Sequence, residues 1–281
     1  MFLVLLFCAF FLNGCVQLPW GREVEHSAAG DSPVKEVFRP ESPHAAFGNP
    51  SKATLDPTDR NNFLVVGNGS VFSYNESLGT VNWVSWRTVR EDLGDPLMRP
   101  QFRPDLRLPQ GFARIDYYDY SGSGYDRGHM VPSADRFGNA RLNEETFMMT
   151  NIVPQTPALN QYPWQKLESH ARSLVRRGND VYQIAGVYGE RERLKRKVTA
   201  PTNCWKVIVS VPRGRRIEEL PNRMQIIAVD MPNIEKIENN DWKMYLTSIS
   251  EIEERTGLDL FEQLPPLVQQ RIETKFSIRS P

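Results

Sequence analysis

The chain is poor in cysteine. Of its 281 residues only Cys8, Cys15 and Cys204 carry a thiol, and two of them lie within the first fifteen positions. Without that leading segment no intramolecular disulfide can form, so the fold must rest on its core. Histidine is nearly as scarce, at positions 26, 44, 129 and 170. Net charge is lacking too: the formal value is zero, which withholds the overall basic excess usual in a nucleic-acid binder. No internal repeat or low-complexity tract is present. The apolar run from Phe2 to Leu12 is eleven residues long, too short to cross a bilayer but suited to the core of a signal peptide. No basic residue precedes it. Leu12-Asn-Gly-Cys15 resembles a bacterial lipobox, so residues 1–15 are expected to be a signal peptide or lipoprotein signal. The expected location is extracytoplasmic, either lipid-anchored through Cys15 or secreted.

What remains has an ordinary globular composition, 40% hydrophobic and 24% charged. Residues 16–47 are rich in Pro, Ser, Gly and Glu and read as a flexible tether in which His26 and His44 are solvated. Residues 48–281 read as one domain. Apolar runs predict strands at Phe63–Val66, Val71–Tyr74, Val81–Val89, Gly111–Asp116, Phe147–Ile152, Val181–Val187, Trp205–Val211 and Gln225–Met231. Helices are expected over Asn160–Arg177, over Ser248–Thr256 with Gly257 just past its end, and near Leu264–Lys275. The pattern is that of an α+β domain with a mostly antiparallel central sheet.

Chemistry concentrates in the middle of the chain. Between Arg99 and Arg141 there are seven arginines, five aspartates and no lysine, and Arg suits bidentate phosphate contact better than Lys. Within this segment runs Tyr125-Asp-Arg-Gly-His-Met-Val-Pro-Ser-Ala-Asp-Arg136, followed by Asn151-Ile-Val-Pro-Gln155 and Asn160-Gln-Tyr-Pro-Trp-Gln-Lys-Leu-Glu168. Cleaving a phosphodiester needs an in-line nucleophile and compensation of developing charge. His129, with a reference pKa near neutrality, is a natural general base for water. Taken alone it would read as a satisfied structural histidine.

Asn160, Trp164, Glu168 and Arg172 recur every four residues and so share one helix face. A hard divalent cation such as Mg²⁺, with Mn²⁺ as an alternative, prefers oxygen ligands and keeps several waters, so one Asn oxygen can suffice. Glu168, two turns along, can hold those waters, and Arg172 can reach a phosphate oxygen. The bland reading is an exposed Glu168–Arg172 pair with Trp164 in the core. Pro163 is tolerable only in a first turn, which starts the helix near Gln161 with Asn160 at or beside the N-cap. A strand ending at His129, a second strand and a helix opening at Asn160 make a ββα-metal arrangement.

These motifs resemble the DNA/RNA non-specific endonuclease family, which includes the Serratia-type and endonuclease G-like nucleases and carries an Asp-Arg-Gly-His signature. Asn82-Trp-Val-Ser-Trp86, Phe102-Arg-Pro-Asp105, Tyr120 through His129, Pro132-Ser-Ala-Asp-Arg136, Met149-Thr-Asn151, Asn240-Asp-Trp242 and Thr256-Gly257 are similar to its cyanobacterial sugar-nonspecific branch. The resemblance runs from about Gly48 to the C-terminus. It implies a ββα-metal (His-Me finger) core, with His129 as general base, Asn160 as direct Mg²⁺ ligand and Glu168 as ligand to a metal water. It further implies that Arg127 and Arg172 contact phosphate and that Arg99, with Arg103 as fallback, stabilises the transition state. Asp126 and Gly128 are expected to shape the turn presenting His129, and Asn151 to hold the active-site loop.

The implied substrates are DNA and RNA, single- and double-stranded, cut internally to 5′-phosphate ends. A protein inhibitor is a further partner class. The rival readings are a non-catalytic nucleic-acid-binding module on the same scaffold and an enzyme of small phosphodiesters. The charge run Glu190–Lys197 reads as a solvated loop, His170 as a surface or packing residue, and Trp83 and Trp86 as core residues on one sheet face. Cys204 reads as a buried small hydrophobe.

Overall fold

The computed structural model describes residues 42–215 and 224–273, all within one compact unit. The expected leader, Cys15 and tether residues 16–41 lie outside the described residues, as does His26. Among the described residues ten strands run in chain order as β1 (Phe63–Val66), β2 (Val71–Asn75), β3 (Thr80–Thr88), β4 (Asp126–His129), β5 (Ile152–Gln155), β6 (Asn179–Tyr188), β7 (Glu192–Leu194), β8 (Val198–Ala200), β9 (Asn203–Pro212) and β10 (Gln225–Pro232). The helices are α1 (Ala140–Glu145), α2 (Pro157–Leu159), α3 (Gln165–Arg176), α4 (Ile249–Thr256) and α5 (Pro266–Glu273). Six strands form an antiparallel sheet in the order β1-β2-β3-β6-β9-β10, while β4 pairs with β5 and β7 with β8 as separate ribbons. The chain is an α+β protein.

Strand alternation divides the sheet's side chains between two cores. On one face Trp86, Val181, Ala185, Cys204 and Ile208 pack with Leu167, Ala171 and Leu174 of α3 and with Val153 of β5. On the other, Trp83, Ile184, Trp205, Val207 and Val209 pack with Ile249 and Ile252 of α4 and with Phe47 and Phe261. Trp83 and Trp86 therefore lie on opposite faces. They are three residues apart, an odd step on a strand, so the expectation of a shared face was wrong.

Six of the eight expected strands match in position. Gly111–Asp116 forms no strand; it leads instead into a 3₁₀ turn, Tyr117–Tyr120, capped by the Asp116 side chain, which accepts from the Tyr118 N–H. The strand expected over Phe147–Ile152 begins only at Ile152, because a 3₁₀ turn occupies Met149–Asn151. The charge run is a β-hairpin, β7 and β8, rather than an open loop; Leu194, Val198 and Ala200 pack inward from it onto Ile115 and Ile152. Helix α4 begins and ends as expected. Ser248 accepts from the Glu251 N–H, and Gly257 takes up φ 70° beyond its C-terminus.

The end of the composition-defined tether is not a tether. Ala45 and Phe47 are buried, with Phe47 tilted against Phe261 at 4.8 Å. His44 is not solvated either. Its Nδ1 accepts from the Arg87 N–H at 3.1 Å and its Nε2 lies 3.0 Å from the Asn68 carbonyl. Composition misled here because two apolar residues suffice to dock a short polar segment.

Burial, aided by the nearby Arg136 charge, lowers the His44 pKa from 6.5 to about 4. The folded state thus binds its proton less readily than the unfolded chain, and the stability associated with neutral His44 is lost as pH falls from 6.5 toward 4. The unfolding midpoint should drop over that window, and the drop should be shallower in His44→Gln. Thermal melts at half-unit pH steps would show it, and equal slopes would contradict the assignment.

Candidate active site

Strand β4 is the sequence Asp126-Arg-Gly-His129 itself, paired with β5 in the register Asp126↔Gln155 and His129↔Ile152. Gly128 lies in this strand rather than in a turn. A Cβ there would stand 2.0 Å from Oε1 and 2.5 Å from Cδ of Gln155, which is itself wholly buried. Glycine is therefore required by the close approach of a neighbouring side chain. Asn151, just ahead of β5, holds the following loop through three bonds. Its Oδ1 accepts from the Val131 N–H, and its Nδ2 donates to the carbonyls of Val131 and Thr146.

His129 sits in an aromatic slot. Its ring lies 5.4 Å from Phe102 and 4.9 Å, edge-on, from Phe147. Nε2 is buried with no hydrogen-bond partner among the described residues. Burial, reinforced by the Arg99 charge, lowers its pKa to about 3, so the imidazole is a neutral, unengaged base at neutral pH. The Arg99 guanidinium stands over both aromatic walls, 5.5 Å from Phe102 and 5.8 Å from Phe147. Arg103 turns elsewhere, toward Glu144 at 3.4 Å and Met148 Sδ at 3.4 Å. Arg127 is clamped by the Tyr117 carbonyl, which accepts from its Nη2 at 2.8 Å and Nε at 3.2 Å. From there its guanidinium also reaches the Phe102 ring, at 5.7 Å.

The helix carrying Asn160 starts earlier than Pro163 suggested. Thr156 is the N-cap, accepting from the Leu159 N–H, with Pro157 in the first turn. Asn160 is not at the N-cap; it follows α2 directly and opens a π-helical turn, Asn160–Trp164, that runs into α3. The wider turn absorbs Pro163, which could not supply the regular helical hydrogen bond. Asn160 Nδ2 donates to Asp126 Oδ2 at 2.9 Å, and Gln161 Nε2 donates to the same oxygen at 2.8 Å. Asp126 is thus an orienting carboxylate rather than a turn-former. By fixing the amide nitrogen it leaves Asn160 Oδ1 as the free donor atom.

Glu168 and Arg172 follow on α3. Arg172 is buried; its Nη1 donates to Asp135 Oδ1 at 3.1 Å and its Nη2 to Ser169 Oγ at 3.1 Å. Burial pushes the Glu168 carboxyl above the ordinary carboxylate range, opposed by the charges of Lys206 and Arg172. Among the described residues no cluster of three or more His, Cys, Asp or Glu side chains could hold a metal. The oxygen set here, Asn160 Oδ1 with a carboxylate nearby, instead fits a hard cation that keeps most of its waters.

Sequence reasoning missed three participants: the Phe102–Phe147 slot, the Asp135 hub and Lys206. Asp135 and Phe102 had a signal, since each lies within a quoted motif. The others are brought in by tertiary contact.

The chain is matched by known proteins. The DNA/RNA non-specific endonuclease family profile covers residues 49–267. A nuclease of Nostoc sp. is 42% identical over 245 residues, 86% of this chain and 89% of that protein. Human mitochondrial endonuclease G is 32% identical over 170 residues, 56% of this chain and 54% of that protein. A crystal structure of the EndoG/EndoGI complex superposes with a TM-score of 0.62 over 72% of this chain and 86% of its own, at 24% identity.

Gly128→Ala should destabilise the protein by about 1–3 kcal/mol, the usual cost of overpacking a filled core. Gln155→Ala in the same chain should restore part of it. Urea denaturation of the wild type and the two variants would measure both effects, and a silent Gly128→Ala would refute the packing account.

Proposed function

Because the chain belongs to the DNA/RNA non-specific endonuclease family, we propose that it is a Mg²⁺-dependent, sugar-nonspecific endonuclease that hydrolyses DNA and RNA to 5′-phosphate ends. The observation that carries this reading is the bond from Asn160 Nδ2 to Asp126 Oδ2. It ties the candidate cation ligand to the four-residue strand that ends in the neutral base His129.

In the proposed mechanism the neutral imidazole of His129 takes a proton from the attacking water. The aromatic slot that buries its Nε2 edge keeps the ring unprotonated. Arg99 and Arg127, both reaching the Phe102 ring beside His129, supply positive charge as the phosphorane develops. Arg172 contributes from its anchored position on Asp135. Asn160 Oδ1 and Glu168 would hold the cation and its waters. When bound, Mg²⁺ or Mn²⁺ supplies charge neutralisation at the scissile phosphate and the departing 3′ oxygen.

Contacts to the backbone carry little sequence information, which supports tolerance of base and sugar. Exposed arginines such as Arg99, rather than net charge, would capture the polyanion. A protein inhibitor belongs to the same proposal, since the structural neighbour is an EndoG–EndoGI complex. An extracytoplasmic location, secreted or anchored through Cys15, is proposed from the sequence alone.

Supercoiled plasmid and single-stranded RNA should both be digested by protein lacking residues 1–15 in Mg²⁺, and neither in EDTA. His129→Ala should lower kcat about 10²- to 10⁴-fold with little change in binding. RNA left intact while DNA is consumed would remove sugar tolerance from the proposal. A folded wild-type protein that shifts DNA on a gel without cutting it would favour the binding module.

The acid limb of kcat/KM reports the free enzyme's base. With His129 lowered to about 3, neutral imidazole persists well below the ordinary 6.5, so the limb should lie under that value. A limb at or above 6.5 would contradict it.

A further inference from the structure

Lys206 occupies the middle of β9, where alternation turns Cys204, Lys206 and Ile208 toward α3 and Trp205 and Val207 away. An aliphatic residue would satisfy this position as a packing element. Instead an ammonium group is buried at 0% exposure, a costly placement unless it is compensated. Among the described residues Nζ has no hydrogen-bond partner. It lies over two indole rings, 4.3 Å from the centroid of Trp164 and 5.2 Å from that of Trp86, whose faces attract cations. The carboxylate it pairs with is Glu168, whose Oε1 is 3.7 Å away.

Both helical contacts lead to the cation site. Trp164 closes the π-helical turn that opens with Asn160, and Glu168 lies one turn further along. The opposite wall is set by Trp86, whose Nε1 donates to Asp135 Oδ2 at 3.1 Å, the carboxylate that also holds Arg172. A single cation on a rigid central strand therefore touches the supports of both candidate ligands. Its long, loose approach to Oε1 restrains Glu168 without occupying it through a short hydrogen bond.

We propose that Lys206 is a positioning residue for the proposed nuclease site: from beneath, it holds the Glu168 carboxylate and the Asn160-bearing turn at the separation that a hydrated divalent cation requires. The inference rests on the reading of Asn160 and Glu168 as the cation's holders. Lys206 touches neither substrate nor water in this role; it acts through Glu168.

The test is decided by sign and by pH. Removing a positive charge beside a cation site would by direct repulsion alone tighten cation binding, whereas loss of positioning weakens it. A weakening caused only by protonation of Glu168, whose carboxyl the Lys206 charge holds down, would recover as pH is raised, and a loss of positioning would not. Lys206→Met keeps the length and apolar stem between the two tryptophans. Mn²⁺ binding is read without substrate, from the free-ion EPR signal, on wild type, Lys206→Met, Glu168→Gln and the double variant, with circular dichroism and thermal melts to verify folding. We expect Lys206→Met to weaken Mn²⁺ binding about tenfold, as loss of an orienting partner does. We also expect kcat to fall with KM for DNA nearly unchanged. The double variant should bind Mn²⁺ no more weakly than Glu168→Gln, because a residue acting through Glu168 has nothing left to position. Unchanged or tighter binding by folded Lys206→Met, or losses that multiply in the double variant, would overturn the proposal. Lys206→Gln is read in the same way should the Met variant not fold. Wild type that cuts DNA with Mn²⁺ while Lys206→Met matches it would sink this inference and leave the nuclease reading standing. Wild type that binds no Mn²⁺ would sink both.

Discussion

The carboxylate of Asp135 is the joint on which the candidate site turns. It is 1% exposed and receives four donors from three elements. Trp86 Nε1 and Thr88 Oγ1 reach it from β3, Gln183 Nε2 from β6 and Arg172 Nη1 from α3. A buried carboxylate is tolerated only when its lone pairs are filled and its charge is met, and here both conditions are satisfied by residues that must stand in fixed places. The sheet and helix α3 are thus bound to one orientation by a group that offers no tolerance for sliding. Everything that α3 carries toward the site, from Glu168 to Arg172, inherits that orientation.

The site divides its charge by depth. On the inner side lie the interlocked ions, Asp135 with Arg172 and Glu168 with Lys206, each held by a neighbour of opposite sign. On the outer side Arg99 is exposed and stacks on aromatic rings rather than pairing with a carboxylate. Between the two, His129 is kept neutral by burial and by the Arg99 charge. An inner layer already neutralised needs no reorganisation, while an outer cation lying on a ring face is available to an incoming phosphate. Electrostatic stabilisation by groups placed beforehand is the largest single contribution that such a site can make.

Much of the sheet was legible in the residues because its strands are long and bounded by turn signals, as with Asn68-Gly69 between β1 and β2. Helix α4 was equally plain, since Ser248 and Gly257 act locally. The failures share a physical cause. Gly111–Asp116 has apolar residues but no partner strand, so its alternation came to nothing. Pro163 was read through the rules of a regular α-helix, and a π-helical turn is set by what it must accommodate rather than by local propensity. Phe47 looked like tether because its docking depends on Phe261, more than two hundred residues away, and His44 because its partners, Asn68 and Arg87, lie outside any local pattern.

The sequence by itself determined the identity and order of the candidate site residues, because Asp126-Arg-Gly-His129, Asn160 and Glu168 stand at spacings that recur as a motif. It also determined the class of the fold, through apolar runs bounded by turn signals. Only the tertiary structure decided what each residue is surrounded by. It placed Arg99 rather than Arg103 beside His129, gave Asp126 the Asn160 amide, set Gln155 against Gly128 and brought Lys206 beneath Glu168. These are contacts between residues far apart in the chain. Proton affinity, amide orientation and steric room are properties of such surroundings, and no local pattern encodes them.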